Sequence, residues 1–292
     1  MRLEDGRESD NIEDRRGARG GGMLGGGGRK IGVGTIVLAL VAMYFGVDPS
    51  VVLNMGAGVP ATQQAQVAPG VQSTGQAEDD ALARFTSRVL ADTEDTWTEL
   101  FRAGGAQYRE PKLVLYTGGT QTACGTGQAA MGPFYCPGDE RVYLDLDFYR
   151  DLQARFAAPG DFAQAYVIAH EIGHHVQHQL GIAEKVQASK QRVGEREANQ
   201  LQVRMELQAD CFAGIWAHHA NRSRGILEQG DVEEALRAAT AIGDDTLQKQ
   251  AQGYVVPESF THGSAEQRSR WFKRGLENGD IKTCDTFAAR TL

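Results

Sequence analysis

Nine residues past the middle of the chain, Ala169-His170-Glu171-Ile172-Gly173-His174-His175-Val176-Gln177, constrain the fold more than any other stretch. His170 and His174 are four apart, so on an α-helix they stand one turn above the other on a single face. Two imidazoles placed in that way can grip one Zn²⁺. Glu171, about 100° round the helix axis, can then reach a water beside the ion. H-E-x-x-H is short enough to arise by chance, and paired histidines on a helix are often only polar surface. The residues downstream decide between the two.

A catalytic zinc takes three protein ligands and leaves one position for water. The form of the motif in which a glycine turn swings round a third histidine is excluded, because Gln177 and Leu180 stand at those places. His178 sits a turn too far along a straight helix to share an ion with His170, and His175 points off the face. Glu206 and Asp210 are four apart on the next strongly patterned helix, Gln202–Trp216, among Leu207, Ala209 and Phe212. His218 lies about 120° round that helix from Glu206 and is a poor candidate. The spacing suits Glu206 as a third ligand. Asp210 can then accept a hydrogen bond from a ligand imidazole and fix its tautomer.

The metal helix is expected to start after Pro159-Gly160, with Asp161 as N-cap and Gln164 completing a capping box, and to stop at Gly181. Ahead of it, residues 81–103 read as one or two helices and Lys112–Thr117 as a strand. A glycine-rich loop follows through Cys124 and Cys136. Arg141–Asp147 then reads as a second strand, at the sheet edge along which an extended substrate could add. Residues 184–200 carry no clear pattern, and Asp231–Gln250 reads as further helix. Ser264 with Gln267 forms a capping box opening a helix through Arg274.

Residues 1–30 are polar and glycine-rich, and read as a disordered tail. Ile31–Val47 is seventeen residues without a charge, at the short end of a membrane span. Arg15, Arg16, Arg19, Arg29 and Lys30 precede it, and no Lys or Arg follows before Arg84. The positive-inside rule then puts the N-terminus in the cytoplasm and the domain outside, which favours a single-pass signal anchor, with a cleaved signal peptide as the alternative. Residues 48–80, rich in Ala, Gln, Gly and Pro, read as a flexible linker to a domain spanning 81–292. A net charge of −8 and a pI near 5.4 argue against a nucleic-acid partner.

Four cysteines, Cys124, Cys136, Cys211 and Cys284, allow three pairings that the sequence does not choose among. Cys124–Cys136 with Cys211–Cys284 is the favoured set, and export of the domain favours disulfides. The alternative is four reduced thiols.

H-E-x-x-H followed by E-x-x-x-D resembles the gluzincin metallopeptidases, whose third ligand is that glutamate. The wider phrasing is Arg204-Met-Glu-Leu-Gln-Ala-Asp-Cys-Phe-Ala-Gly-Ile-Trp216, then Thr261-His-Gly-Ser264. It resembles the neutral zinc metallopeptidases of bacterial envelopes, the YpfJ group, over about residues 81–287, and the N-terminal span and four cysteines belong to the likeness. Thr261-His262 with Arg268 also resembles the HtpX-like membrane gluzincins, although Gly263 stands where a proline usually follows. The resemblance implies an α+β, zincin-like fold, mostly helical with a small antiparallel or mixed sheet. It implies one catalytic Zn²⁺ on His170, His174 and Glu206, Glu171 as general base to a zinc-activated water, and a peptide or protein substrate. His262 would approach the site and stabilise the oxyanion. The rival reading is a non-catalytic zinc-binding scaffold protein of the envelope, against which an intact Glu171 argues. A hydrolase acting on other envelope polymers is a third.

Overall fold

The computed structural model describes residues 1–16, 72–128, 132–154 and 156–292. The expected span 31–47, and the expected linker as far as residue 71, lie outside the described residues. Among the described residues no helix is long and apolar enough to cross a membrane.

A four-stranded sheet runs in the order β1-β2-β6-β5, from β1 (Ile12–Asp14), β2 (Lys112–Tyr116), β6 (Arg141–Asp145) and β5 (Phe134–Cys136). β1, β2 and β6 are parallel, and β5 runs antiparallel to β6. The central strands are apolar on both faces, and Leu113, Val114, Leu115 and Val142 are buried. A hairpin of β3 (Gly119–Thr122) and β4 (Gly125–Gln128) stands apart. Arg141–Asp145 is therefore internal, and the expected edge strand is corrected to β5. Three residues in a glycine-rich stretch are too few to show alternation, which is why β5 gave no signal.

The rest is helical: α1 (Gln72–Ala103), α2 (Asp147–Ala154), α3 (Asp161–Gln179), α4 (Ile182–Lys190), α5 (Glu195–Arg224), α6 (Asp231–Ala241), α7 (Asp244–Gln252) and α8 (Ala265–Asn278). The mostly helical α+β class holds. α1 is one continuous helix that starts before the expected boundary at residue 81. Residues 72–80 contain no proline, and they extend a helix anchored further on by buried Val89, Leu90 and Trp97. The patternless stretch 184–200 becomes α4 and the start of α5.

Close approach between helices rests on glycines. A Cβ on Gly173 of α3 would lie 2.9 Å from the Ala209 carbonyl oxygen of α5. One on Gly275 of α8 would lie 1.9 Å from the Cys211 carbonyl oxygen. α3 and α8 thus press their backbones against the two sides of α5. Disulfides join Cys124 to Cys136 and Cys211 to Cys284.

Residues 1–16 correct the expected tail. Met1 and Leu3 are core residues, and β1 pairs in register with Leu113–Leu115. Arg7, Ser9 and Asn11 converge on Glu94 of α1, a carboxylate only 1% exposed. The segment has few apolar residues and no periodicity, so its order comes from ion pairs, one strand pairing and two buried side chains, which composition does not reveal. Asp161 has a different task as well. The N-cap of α3 is Gly160, with no side-chain capping bond, and the Asp161 carboxylate lies 2.7 Å from the Met1 ammonium.

Candidate metal centre

α3 carries His170, Glu171 and His174 in its middle turns, where the helix is buried on almost every side. Across the Gly173–Ala209 contact, α5 presents Glu206 to the same point. His170 Nε2 and His174 Nε2 lie 3.2 and 3.3 Å from a single oxygen, Glu206 Oε2. The three candidate ligand atoms lie within 4.8 Å of one another. Two imidazole nitrogens and a carboxylate oxygen are a donor set suited to Zn²⁺. The other Glu206 oxygen accepts a hydrogen bond from Gln202 Nε2 at 2.7 Å, which fixes the carboxylate's orientation. The residues present fit a divalent ion.

Behind His170 stands a charged network. His170 Nδ1 lies 2.8 Å from Asp210 Oδ1, and Arg268 of α8 donates to both Asp210 oxygens at 2.9 Å. The Tyr166 hydroxyl donates to Asp210 Oδ1 at 2.5 Å. Burial alone would raise the Asp210 pKa. The Arg268 guanidinium and His170 outweigh it and hold the carboxyl well below its ordinary value.

Behind His174 the partner is neutral. His174 Nδ1 lies 2.9 Å from Gln177 Oε1, and Gln177 Nε2 donates to the Met205 carbonyl and to Gln208 Oε1. Gln208 Nε2 in turn donates to the Cys284 carbonyl at 2.9 Å.

Glu171 is 8% exposed. Burial raises its pKa, a shift opposed by the two nearby histidines. A carboxylate so tuned is a better proton acceptor than one in water.

His262 lines the same cleft as His170, Glu171, His174 and Glu206. Asp244, the first residue of α7, holds the loop that carries it. Its Oδ2 accepts the backbone N–H groups of Thr261, His262 and Gly263, and Oδ1 lies 3.2 Å from His262 Nδ1. Gly263 has φ +94°, which a proline ring cannot adopt, and a proline would have no N–H for Asp244. The departure from the HtpX-like pattern therefore has a backbone cause.

The other histidines lie away from the candidate ligand atoms. His178 pairs with Glu184, and His218 and His219 meet the carbonyls of Leu276 and Gly279. His175 bonds to the Arg109 carbonyl and the Tyr135 hydroxyl, and burial pushes its pKa down to about 4, so it stays neutral.

Sequence reading missed Gln177, Tyr166 and Asp244. Gln177 is three residues after His174 and Tyr166 four before His170, so helical spacing alone could have nominated both. Asp244 is on a separate helix eighteen residues from His262, and no local pattern marks it. The cleft holds about 580 Å³, walled on its apolar side by residues that include Phe134, Phe148, Phe156, Met205 and Leu247.

Comparison with known proteins agrees with this geometry. Residues 1–287 match the family described as "Putative neutral zinc metallopeptidase". The chain is 53% identical over 292 residues to the uncharacterized protein YpfJ of Escherichia coli (strain K12), covering 98% of this chain and 99% of that one. It is 40% identical over 265 residues to the uncharacterized proteins Rv2575 of Mycobacterium tuberculosis (strain ATCC 25618 / H37Rv) and Mb2605 of Mycobacterium bovis (strain ATCC BAA-935 / AF2122/97), covering 86% of each chain. No solved structure matches the chain.

Proposed function

Because this chain belongs to the neutral zinc metallopeptidase family, we propose that it hydrolyses peptide bonds with one zinc ion held by His170, His174 and Glu206, and with Glu171 as general base. The observation that carries the reading is the convergence of both Nε2 atoms on one Glu206 oxygen, with a buried carboxylate on the neighbouring residue.

Zinc, when held there, supplies a Lewis acid that makes water nucleophilic at neutral pH and draws charge from the scissile carbonyl. Everything else falls to the chain. Glu171 takes a proton from the attacking water and returns it to the leaving amine. Asp210 holds His170 in the tautomer whose Nε2 lone pair faces the ion. His262, steadied by Asp244, places an N–H donor where negative charge develops on the carbonyl oxygen. Edge strand β5 offers backbone groups along which an extended peptide can pair, with Phe134 and Tyr135 on the cleft wall. The aromatic wall suits a large apolar substrate side chain. Two disulfides support an oxidising, extracytoplasmic location for the domain, and the apolar run 31–47 supports membrane attachment.

The test is metal analysis and peptide-library cleavage on the full chain and on Glu171→Gln. One zinc in each, with turnover in the variant lower by about 10²–10⁴-fold, is the expected result. A Glu171→Gln protein that cleaved as fast as the parent would remove Glu171 from the mechanism.

A further inference from the structure

The described residues on either side of 17–71 meet at one place. Arg16 donates to the Asp79 carbonyl at 3.0 Å and lies 3.2 Å from the Asp80 carboxylate, both on α1. Upstream, β1 is hydrogen-bonded into the sheet, and Arg15 N donates to the Leu115 carbonyl at 2.7 Å. Met1 lies among core residues of the same unit.

The charges that suggested a cytoplasmic N-terminus are partly spent on this docking. Arg15 pairs with Glu13, and Arg16 with Asp14 and Asp80. Neither guanidinium can then act as a free topogenic charge while the segment is folded. The apolar run 31–47 is one stretch of seventeen residues, long enough for at most one crossing. A single crossing puts its ends on opposite sides of a bilayer. β1 and β2 cannot pair across one.

We propose that residues 1–16 and the domain lie on the same, oxidising side of the membrane. No bilayer then separates the N-terminus from the catalytic body. The disulfides Cys124–Cys136 and Cys211–Cys284 identify the side as the oxidising one.

The experiment uses the full chain in bacterial cells and does not depend on peptidase activity. Glu4→Cys and Glu277→Cys sit on exposed positions of the N-terminal segment and of α8, and the described structure has no free native cysteine to compete. Each is exposed to a membrane-impermeant maleimide after outer-membrane permeabilisation, before and after the inner membrane is breached. The expected result is equal labelling of both before the breach. Labelling of Glu277→Cys with Glu4→Cys protected until the breach would overturn the proposal. Protection of both would overturn its assignment to the oxidising side. Thermal melting of both variants, matching the parent, checks that neither substitution undocks the segment.

Discussion

The two histidines of the metal helix share a motif and a target atom, yet what stands behind them differs in kind. His170 is backed by a buried carboxylate with its own guanidinium, and His174 by the side-chain amide of Gln177. A carboxylate orients an imidazole and raises its basicity more than a neutral amide oxygen does. Glu171, Glu206 and Asp210 already bring three carboxylates to one buried region, which a divalent ion and Arg268 together would balance. A fourth, behind His174, would leave uncompensated charge in a low-dielectric interior. The asymmetry is how the site gains one strong electrostatic anchor without overcharging itself.

The comparison can be broken most readily at Asp210. Asp210→Ala should lower metal affinity by about 10–100-fold. It should also destabilise the chain by about 3–5 kcal/mol, because Arg268 is left buried without its partner. Metal titration and chemical denaturation measure the two effects, and an unchanged affinity would show that the charged backing does nothing for the ligand. The next largest effect is on pH. Burial would lower the His170 pKa, but Asp210 and Glu206 carry it up to about 10. A raised pKa favours the protonated, metal-free pocket below that value, so metal must displace a proton. Affinity should rise with pH through the neutral range, by about tenfold per unit for each proton displaced. Calorimetry in two buffers of different ionisation enthalpy would count the protons, and a count of zero would contradict the electrostatic account of His170. The smallest effect belongs to Gln177→Ala, for which a stability loss of about 1–2 kcal/mol and a drop in affinity of less than about tenfold are expected. A loss as large as that of Asp210→Ala would erase the distinction between the two sides.

What could be read from the sequence follows the same division between local and distant causes. H-E-x-x-H and E-x-x-x-D each lie within one or two helical turns, and the fold brings those turns together across Gly173. Glycine at 173 looks unremarkable in the sequence, because its role depends on Ala209, thirty-six residues away. The Ser264–Gln267 capping box was legible for the same local reason, and both of its bonds are present. Asp161 misled because a good capping residue next to Gly160 has other uses when an ammonium group lies close by. β5 and the N-terminal segment were missed because a three-residue strand and a set of ion pairs carry no periodicity. Their partners are fixed only once the chain has folded.

The amides behind His174 end on carbonyls of the main chain, and a carbonyl can only accept. Because Met205 and Cys284 offer oxygen and nothing else, Gln208 must turn its NH₂ toward Cys284 and its oxygen toward Gln177. Gln177 must then present its own oxygen to the ring, and His174 must carry its hydrogen on Nδ1. The lone pair is left on Nε2. A bond polarity with no freedom to reverse, on the residue that ties the C-terminal stretch to α5, thus decides the protonation pattern of an imidazole several groups away.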